Sequence, residues 1–256
     1  MNIRLLGAHN CETQQTRFAT LLIDEVLALD AGGLTSALSL PAQQKLKAVL
    51  LTHQHYDHIR DIPALAMNLY LSGATMDIYS IPPVYDSLTT YLVNGKLYPN
   101  FLELPKENPT IKFTILEPLK PRQIGGYSIL AVPVNHSVPG VGYQITSPGN
   151  KALFYTGDTG PGLNDCWHQV SPQLLVIELT ASNRFTEFGR ASGHLTPVLL
   201  KEELISFRET RGYLPQVVTV HMNPLLEEEL KAEMAVVAEE LNSPIILGYE
   251  GMELNL

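Results

Sequence analysis

The sequence predicts an α/β fold, a four-layer αββα sandwich, and three observations carry the prediction. Short β-branched runs alternate with amphipathic stretches along the whole chain. The pattern repeats: "LLIDEVLALDAGG" followed by "KAVLLTHQH" is echoed by "YQITSPGNKALFYTGDTG" followed by "PQLLVIELTAS", each a hairpin, an Asp-containing turn and a buried strand. No Pro/Gly/Ser-rich linker separates the two parts. Residues 1–256 are therefore expected to form a single domain of two similar halves, with two sheets face to face and helices on their outer sides.

In chain order, the expected strands are "IRLLGA", "ATLLID", "VLALDAG" and "KAVLLTH", followed by a helix over "DHIRDIPALAMNLYL". A second series reads "IKFTILEP", "YSILAVPV", "GYQITS", "KALFYTGD" and "QLLVIEL". A helix is expected from about Pro197 to Arg211, where Thr196 followed by Pro197 makes a good N-cap and first-turn pair. "QVVTVH" reads as a strand, and the stretch from about Leu225 to Leu241 as a helix. In that helix Leu226, Leu230, Met234, Val237 and Leu241 form one apolar stripe, with glutamates elsewhere. "PIILGYEGMEL" closes the series.

Composition narrows the classes. With 45% hydrophobic and 17% charged residues, 256 residues suit a large buried core and exclude a disordered chain. The start "MNIRLLGAHN" lacks the pattern of a signal peptide, and no apolar run approaches the ~18 residues of a membrane span, so the expected location is cytoplasmic. Cys11 and Cys166 are too few for a disulfide framework. A net charge of −9, with 17 Lys and Arg spread along the chain, disfavours a long polyanion such as a large nucleic acid as partner.

The most patterned stretch is "VLLTHQHYDHIRDIPAL", residues 49–65. It follows an apolar strand, at the end of an α/β sheet where ligand sites collect. In extended chain, residues two apart point the same way and lie roughly 6.5 Å apart, so His53 and His55 can reach one ion. Asp57 and His58 leave in another direction, where the chain turns into a helix, and can serve a second ion close by. Gln54 and Tyr56 point away. A plain solvent-exposed turn is the alternative, and H-x-H-x-D-H beside a buried strand is too patterned for it.

That motif resembles the signature of the metallo-β-lactamase superfamily, and the resemblance covers nearly the whole chain. "VPVNHSVPGVGY" supplies His136, "FYTGDTG" supplies Asp158 and "VVTVHMNP" supplies His221, each at the end of an apolar strand. The resemblance implies the metallo-β-lactamase fold and two divalent ions. His53, His55 and His136 would hold the first metal and Asp57, His58 and His221 the second, with Asp158 bridging. Asp30, in "LALDAGG", matches the superfamily's first motif and is expected to orient the metal loop. Imidazole with carboxylate suits Zn²⁺, with Mn²⁺ or Fe as alternatives. Two ions about 3.5–4 Å apart can share a water and lower its pKa from about 15.7 to about 7, so a metal-bridged hydroxide is the expected nucleophile. No G-x-S-x-G, Walker A or G-x-G-x-x-G motif competes with this reading.

Residues beyond the ligands choose the reaction. In "SGHLTPVLLKEEL", His194 resembles the extra histidine of the superfamily's phosphodiesterases: the class II cyclic-nucleotide phosphodiesterases, with a similar H-L-T-P segment, and the tRNA 3′-processing endonucleases. The resemblance implies a general acid for the leaving alkoxide, a role worth about 10²–10⁴ in rate. Glu178 ends a buried strand in "LLVIELTAS" and is the expected partner orienting His194; Asp57 is expected to serve catalysis as well as ligation. Charge favours a small anionic phosphodiester, a 3′,5′-cyclic nucleotide, over tRNA, since the chain is acidic and shows no basic Gly-rich arm. His9, Asn10, Arg184 and Arg190 are candidate substrate contacts. Tyr85, Tyr91, Tyr98 and Phe101 receive no role. The alternatives are a tRNA 3′-processing endonuclease, a lactone, thioester or lactam hydrolase, and a di-iron oxygen-binding sensor, whose usual motif has Glu where His55 stands. A homodimer is an expectation from the resemblance alone.

Overall fold

The computed structural model describes all residues 1–256. Two seven-stranded sheets form its centre. The first contains β1 (Asn2–Gly7), β2 (Thr20–Ile23), β3 (Leu27–Leu29), β4 (Ala48–Leu50), β5 (Met76–Ser80) and β6 (Ile111–Ile115), neighbours in that order. The second contains β7 (Arg122–Ile124), β8 (Tyr127–Val134), β9 (Gly140–Thr146), β10 (Ala152–Tyr155), β11 (Leu174–Glu178), β12 (Gln216–Val220) and β13 (Ile245–Leu247). β14 (Glu253–Asn255) crosses back and pairs antiparallel with β1, Asn2 opposite Asn255. "PIILGYEGMEL" thus supplies one strand to each sheet.

Each sheet is antiparallel on one side and parallel on the other. β3, β4, β5 and β6 run parallel, as do β10, β11, β12 and β13. Parallel strands must be covered on both faces. Every residue of the parallel-paired strands β3, β4, β10 and β11 is accordingly buried. One cluster of 69 buried apolar residues runs through both sheets and the helices Pro197–Arg211 and Glu227–Leu241. This is the expected sandwich of two mixed sheets between helices. All five residues of the expected stripe, Leu226, Leu230, Met234, Val237 and Leu241, are buried.

Three local expectations are corrected. The helix over 57–71 is broken into Tyr56–Ile59 and Ile62–Tyr70. The Asp61 amide leaves the helical ladder to donate to Ala31 O (2.9 Å), and Pro63 has no amide to continue it. Thr196 has the extended backbone of an N-cap, yet its hydroxyl meets Thr186 Oγ1 (3.2 Å) and the cap is Asn183 Oδ1, which accepts from the Val198 amide (2.8 Å). The last long helix begins at Glu227, preceded by a tighter turn at Pro224–Leu226 capped by Asn223. No helix is long and apolar enough to cross a membrane.

Candidate metal centre

The loop after β4 carries the opening motif, and a buried carboxylate holds it. Asp30 follows β3 in left-handed backbone (φ 60°) and is wholly buried. It accepts from the Thr52 amide (2.8 Å), the Thr52 hydroxyl (3.0 Å), His58 Nδ1 (2.8 Å) and the Tyr155 hydroxyl (2.9 Å). That fills a carboxylate's roughly four acceptor positions. Gly157 makes room for this arrangement, since a Cβ there would lie 2.7 Å from Thr52 Cβ, and its φ of 60° suits glycine.

Around this frame the seven expected ligands converge. His53, His55, His136 and Asp158 form one group, and Asp57, His58, Asp158 and His221 a second, with ligand atoms within 4.8 Å of one another in each. Asp158 belongs to both. It lies 3.2 Å from His58 Nε2 and 3.4 Å from His221 Nε2, and 3.7 Å from His53 Nε2. His221 Nε2 stands 3.3 Å from Asp57 Oδ2. His55 turns Nδ1 inward, 3.2 Å from His136 Nε2, and His136 Nδ1 donates to Gly193 O (2.8 Å).

The donor set fits metal ions. Nε2 of His53, Nε2 of His58 and Oδ1 of Asp158 are all buried without a hydrogen-bond partner, which is costly unless a cation takes their lone pairs. Burial and the neighbouring imidazoles push His53 well below the ordinary histidine range, and burial also lowers His55 and His136. Neutral imidazole is the form that ligates. Burial opposes ionisation of Asp57, and hydrogen bonds with His221 and His58 overcome it, holding its carboxyl far below the usual range. Burial likewise opposes ionisation of Asp158, and the charges of His221 and His58 outweigh it.

A third group stands beside the second: Glu178, His194 and His221. Glu178, at the end of β11, is fully buried and accepts from His194 Nδ1 (2.8 Å). Burial lowers the His194 pKa, but the hydrogen bond and charge of Glu178 prevail and raise it to about 9. His194 and Glu178 are thus paired as their positions in the sequence suggested.

The four candidate substrate contacts are placed differently. His9 is buried, its Nδ1 2.7 Å from Glu250 Oε1, and the Asn10 amide donates to Met222 O (3.1 Å), one residue beyond His221. Arg184 and Arg190 are exposed and paired with Glu229 (3.0 Å) and Glu202 (3.1 Å). Sequence reasoning missed Thr52, Thr180 and Gly193, which meet His53, His221 with His194, and His136, and Tyr155, which holds Asp30. Thr52 sits next to His53 in the sequence, and that adjacency was the one available signal.

Residues 20–222 match the family model described as a beta-lactamase superfamily domain. The chain belongs to the beta-lactamase superfamily. Among solved structures of that fold, it is similar to unliganded yeast PDE1, at 16% identity and TM-score 0.85, covering 100% of this chain and 99% of the other. It is similar to the metallo-beta-lactamase fold protein YhfI from Bacillus subtilis, at 18% identity and TM-score 0.75, covering 99% and 98%. It is also similar to the short form of human tRNase Z, at 15% identity and TM-score 0.69, covering 100% and 99%. No curated protein matches the sequence significantly. The superfamily fold and the His/Asp clusters together make this chain a metallo-hydrolase.

Proposed function

We propose that the protein is a metal-dependent phosphodiesterase acting on a small phosphodiester, with a 3′,5′-cyclic nucleotide as the favoured class. The observation that carries the reading is the Glu178–His194 pair beside the twin ligand groups. A ribose alkoxide is a poor leaving group and gains from a positioned proton donor.

His53, His55, His136 and Asp158 would hold one ion and Asp57, His58, Asp158 and His221 the other, a donor set suited to Zn²⁺. Bound there, the ions would supply Lewis acidity and a water acidic enough to attack phosphorus near neutral pH. The chain's own groups do the rest. Protonated His194 donates Nδ1–H to Glu178 and keeps Nε2–H as the group that would donate to the departing oxygen. His194 retains 18% side-chain exposure, enough to meet a ligand, while Glu178 has none. Asp57 is more open than Asp158, 26% against 3%, and so meets solvent as well as the ligand group.

Charge supports a small substrate. The net −9 and the pairing of Arg184 and Arg190 with surface glutamates leave little to grip a long polyanion. The fold shared with human tRNase Z keeps an RNA 3′-processing endonuclease as the second reading. Zinc-loaded protein offered cyclic AMP, a precursor tRNA, a lactone and a thioester separates these. Hydrolysis of cyclic AMP is expected; turnover of the lactone or thioester alone would overturn the phosphodiesterase reading.

A further inference from the structure

Asp30 and Glu178 are built alike. Each is a fully buried carboxylate, and each holds two histidines, one directly and one through a threonine hydroxyl. Asp30 takes His58 Nδ1 directly (2.8 Å) and reaches His53 through Thr52, whose Oγ1 lies 3.0 Å from Asp30 and 3.0 Å from His53 Nδ1. Glu178 takes His194 Nδ1 directly (2.8 Å) and reaches His221 through Thr180, whose Oγ1 lies 3.0 Å from Glu178 Oε2 and 2.9 Å from His221 Nδ1. One relay stands behind each half of the sequence echo.

Counting protons gives the direction these bonds take when a cation occupies Nε2 of the histidine. A hydroxyl has one hydrogen and two lone pairs, while a carboxylate only accepts. Thr180 therefore donates to Glu178, and its oxygen accepts from His221 Nδ1–H. That choice frees the lone pair of His221 Nε2 for a cation between Asp57 and Asp158, in place of its 3.3 Å hydrogen bond to Asp57 Oδ2. The other tautomer would draw the Thr180 hydrogen to Nδ1 and leave Glu178 Oε2 with only the Leu195 amide (3.2 Å). The same reasoning fixes His53 through Thr52.

We infer that Thr180 is a positioning residue that locks His221 in its metal-binding tautomer, and that Thr52 does the same for His53. Through Thr180, the carboxylate that holds the acid His194 also sets a metal ligand. The inference rests on the metal assignments proposed above.

The test is zinc affinity of the full-length protein, by chelator competition, in wild type, Thr180→Val, Thr180→Ser and Thr52→Val. Thr180→Val is expected to weaken one of two bound ions by about 10–100-fold, the usual effect of removing a group behind a ligand, and Thr180→Ser to restore it. Thr52→Val is expected to weaken the other. A Thr180→Val protein that binds both ions as tightly as wild type overturns the inference alone, whereas wild type that takes up no zinc overturns the functional reading with it. An NMR measurement on zinc-loaded wild type needs no variant: the His221 Nδ1 proton should exchange slowly with water, and rapid exchange overturns the inference even if Thr180→Val fails to fold.

Discussion

His194 and His221 stack face to face, ring centroids 5.5 Å apart and planes 13° from parallel. One ring belongs to a ligand group, and the other is held by Glu178 with its Nε2 free. The stack sets the proposed proton donor beside a member of the ligand group, which is the juxtaposition the proposed reaction requires.

Replacing the donor should therefore depend on the leaving group. His194→Ala is expected to lower kcat about 10²–10⁴-fold on a cyclic nucleotide, whose alkoxide needs the proton. On bis-p-nitrophenyl phosphate, whose phenolate leaves unaided, the loss should be far smaller. Equal losses on both substrates would remove His194 from proton transfer.

The pH profile gives a second check. His194 must be protonated to act, so activity falls as pH rises through its pKa. Glu178 raises that pKa to about 9 in the metal-free protein, and divalent ions on neighbouring ligands lower it from there. Glu178→Gln removes the charge that raised it, so the basic limb of kcat should move to lower pH. A limb that stays in place would show that another group titrates there.

Metal loading should release protons. Burial works against the charge on His58, but Asp158 and Asp30 outweigh it and push its pKa well above the ordinary value. A metal ion on His58 Nε2 therefore competes with a proton that these carboxylates favour. Calorimetric zinc titrations in buffers of different ionisation enthalpy should show at least about one proton released per chain; identical heats would contradict this. At a free zinc concentration of about 100 Kd, binding should add about 2.7 kcal/mol and raise Tm by about 5–10 °C. A chelator should reverse the shift.

Gly157→Ala tests the frame behind the ligands. The new methyl would meet Thr52 at under 3 Å, and the backbone is left-handed. A loss of about 1–3 kcal/mol is expected in chemical denaturation, together with weaker zinc binding. Gly212→Ala has similar backbone (φ 79°) and open space, so it isolates the conformational part and should leave zinc affinity unchanged. Equal effects of the two variants on zinc would show that Thr52 is not under pressure from position 157.

Much of this arrangement was legible in the chain. The motif His53 to His58 declares itself by spacing, and His136, Asp158 and His221 stand at strand ends that hydropathy alone locates. The parallel strands β4, β10 and β11 read as continuous apolar runs because both of their faces are covered. What stayed hidden depends on tertiary contact. Tyr155 looks like one more core aromatic until its hydroxyl is seen 2.9 Å from Asp30. Thr180 carries no spacing signal toward the histidines it meets, His194 and His221, which lie 14 and 41 residues away. The break at Asp61 has a local hint in Pro63, but the amide's actual acceptor, Ala31, is distant in sequence.

The return of β14 to β1 bears on how the protein is assembled. During synthesis, the edge of the first sheet at Asn2–Arg4 has no strand beside it until residues 253–255 emerge. An open edge of that kind is a template for pairing with the wrong chain. Refolding yields should accordingly fall for a protein lacking residues 253–255, which pair with Asn2–Arg4.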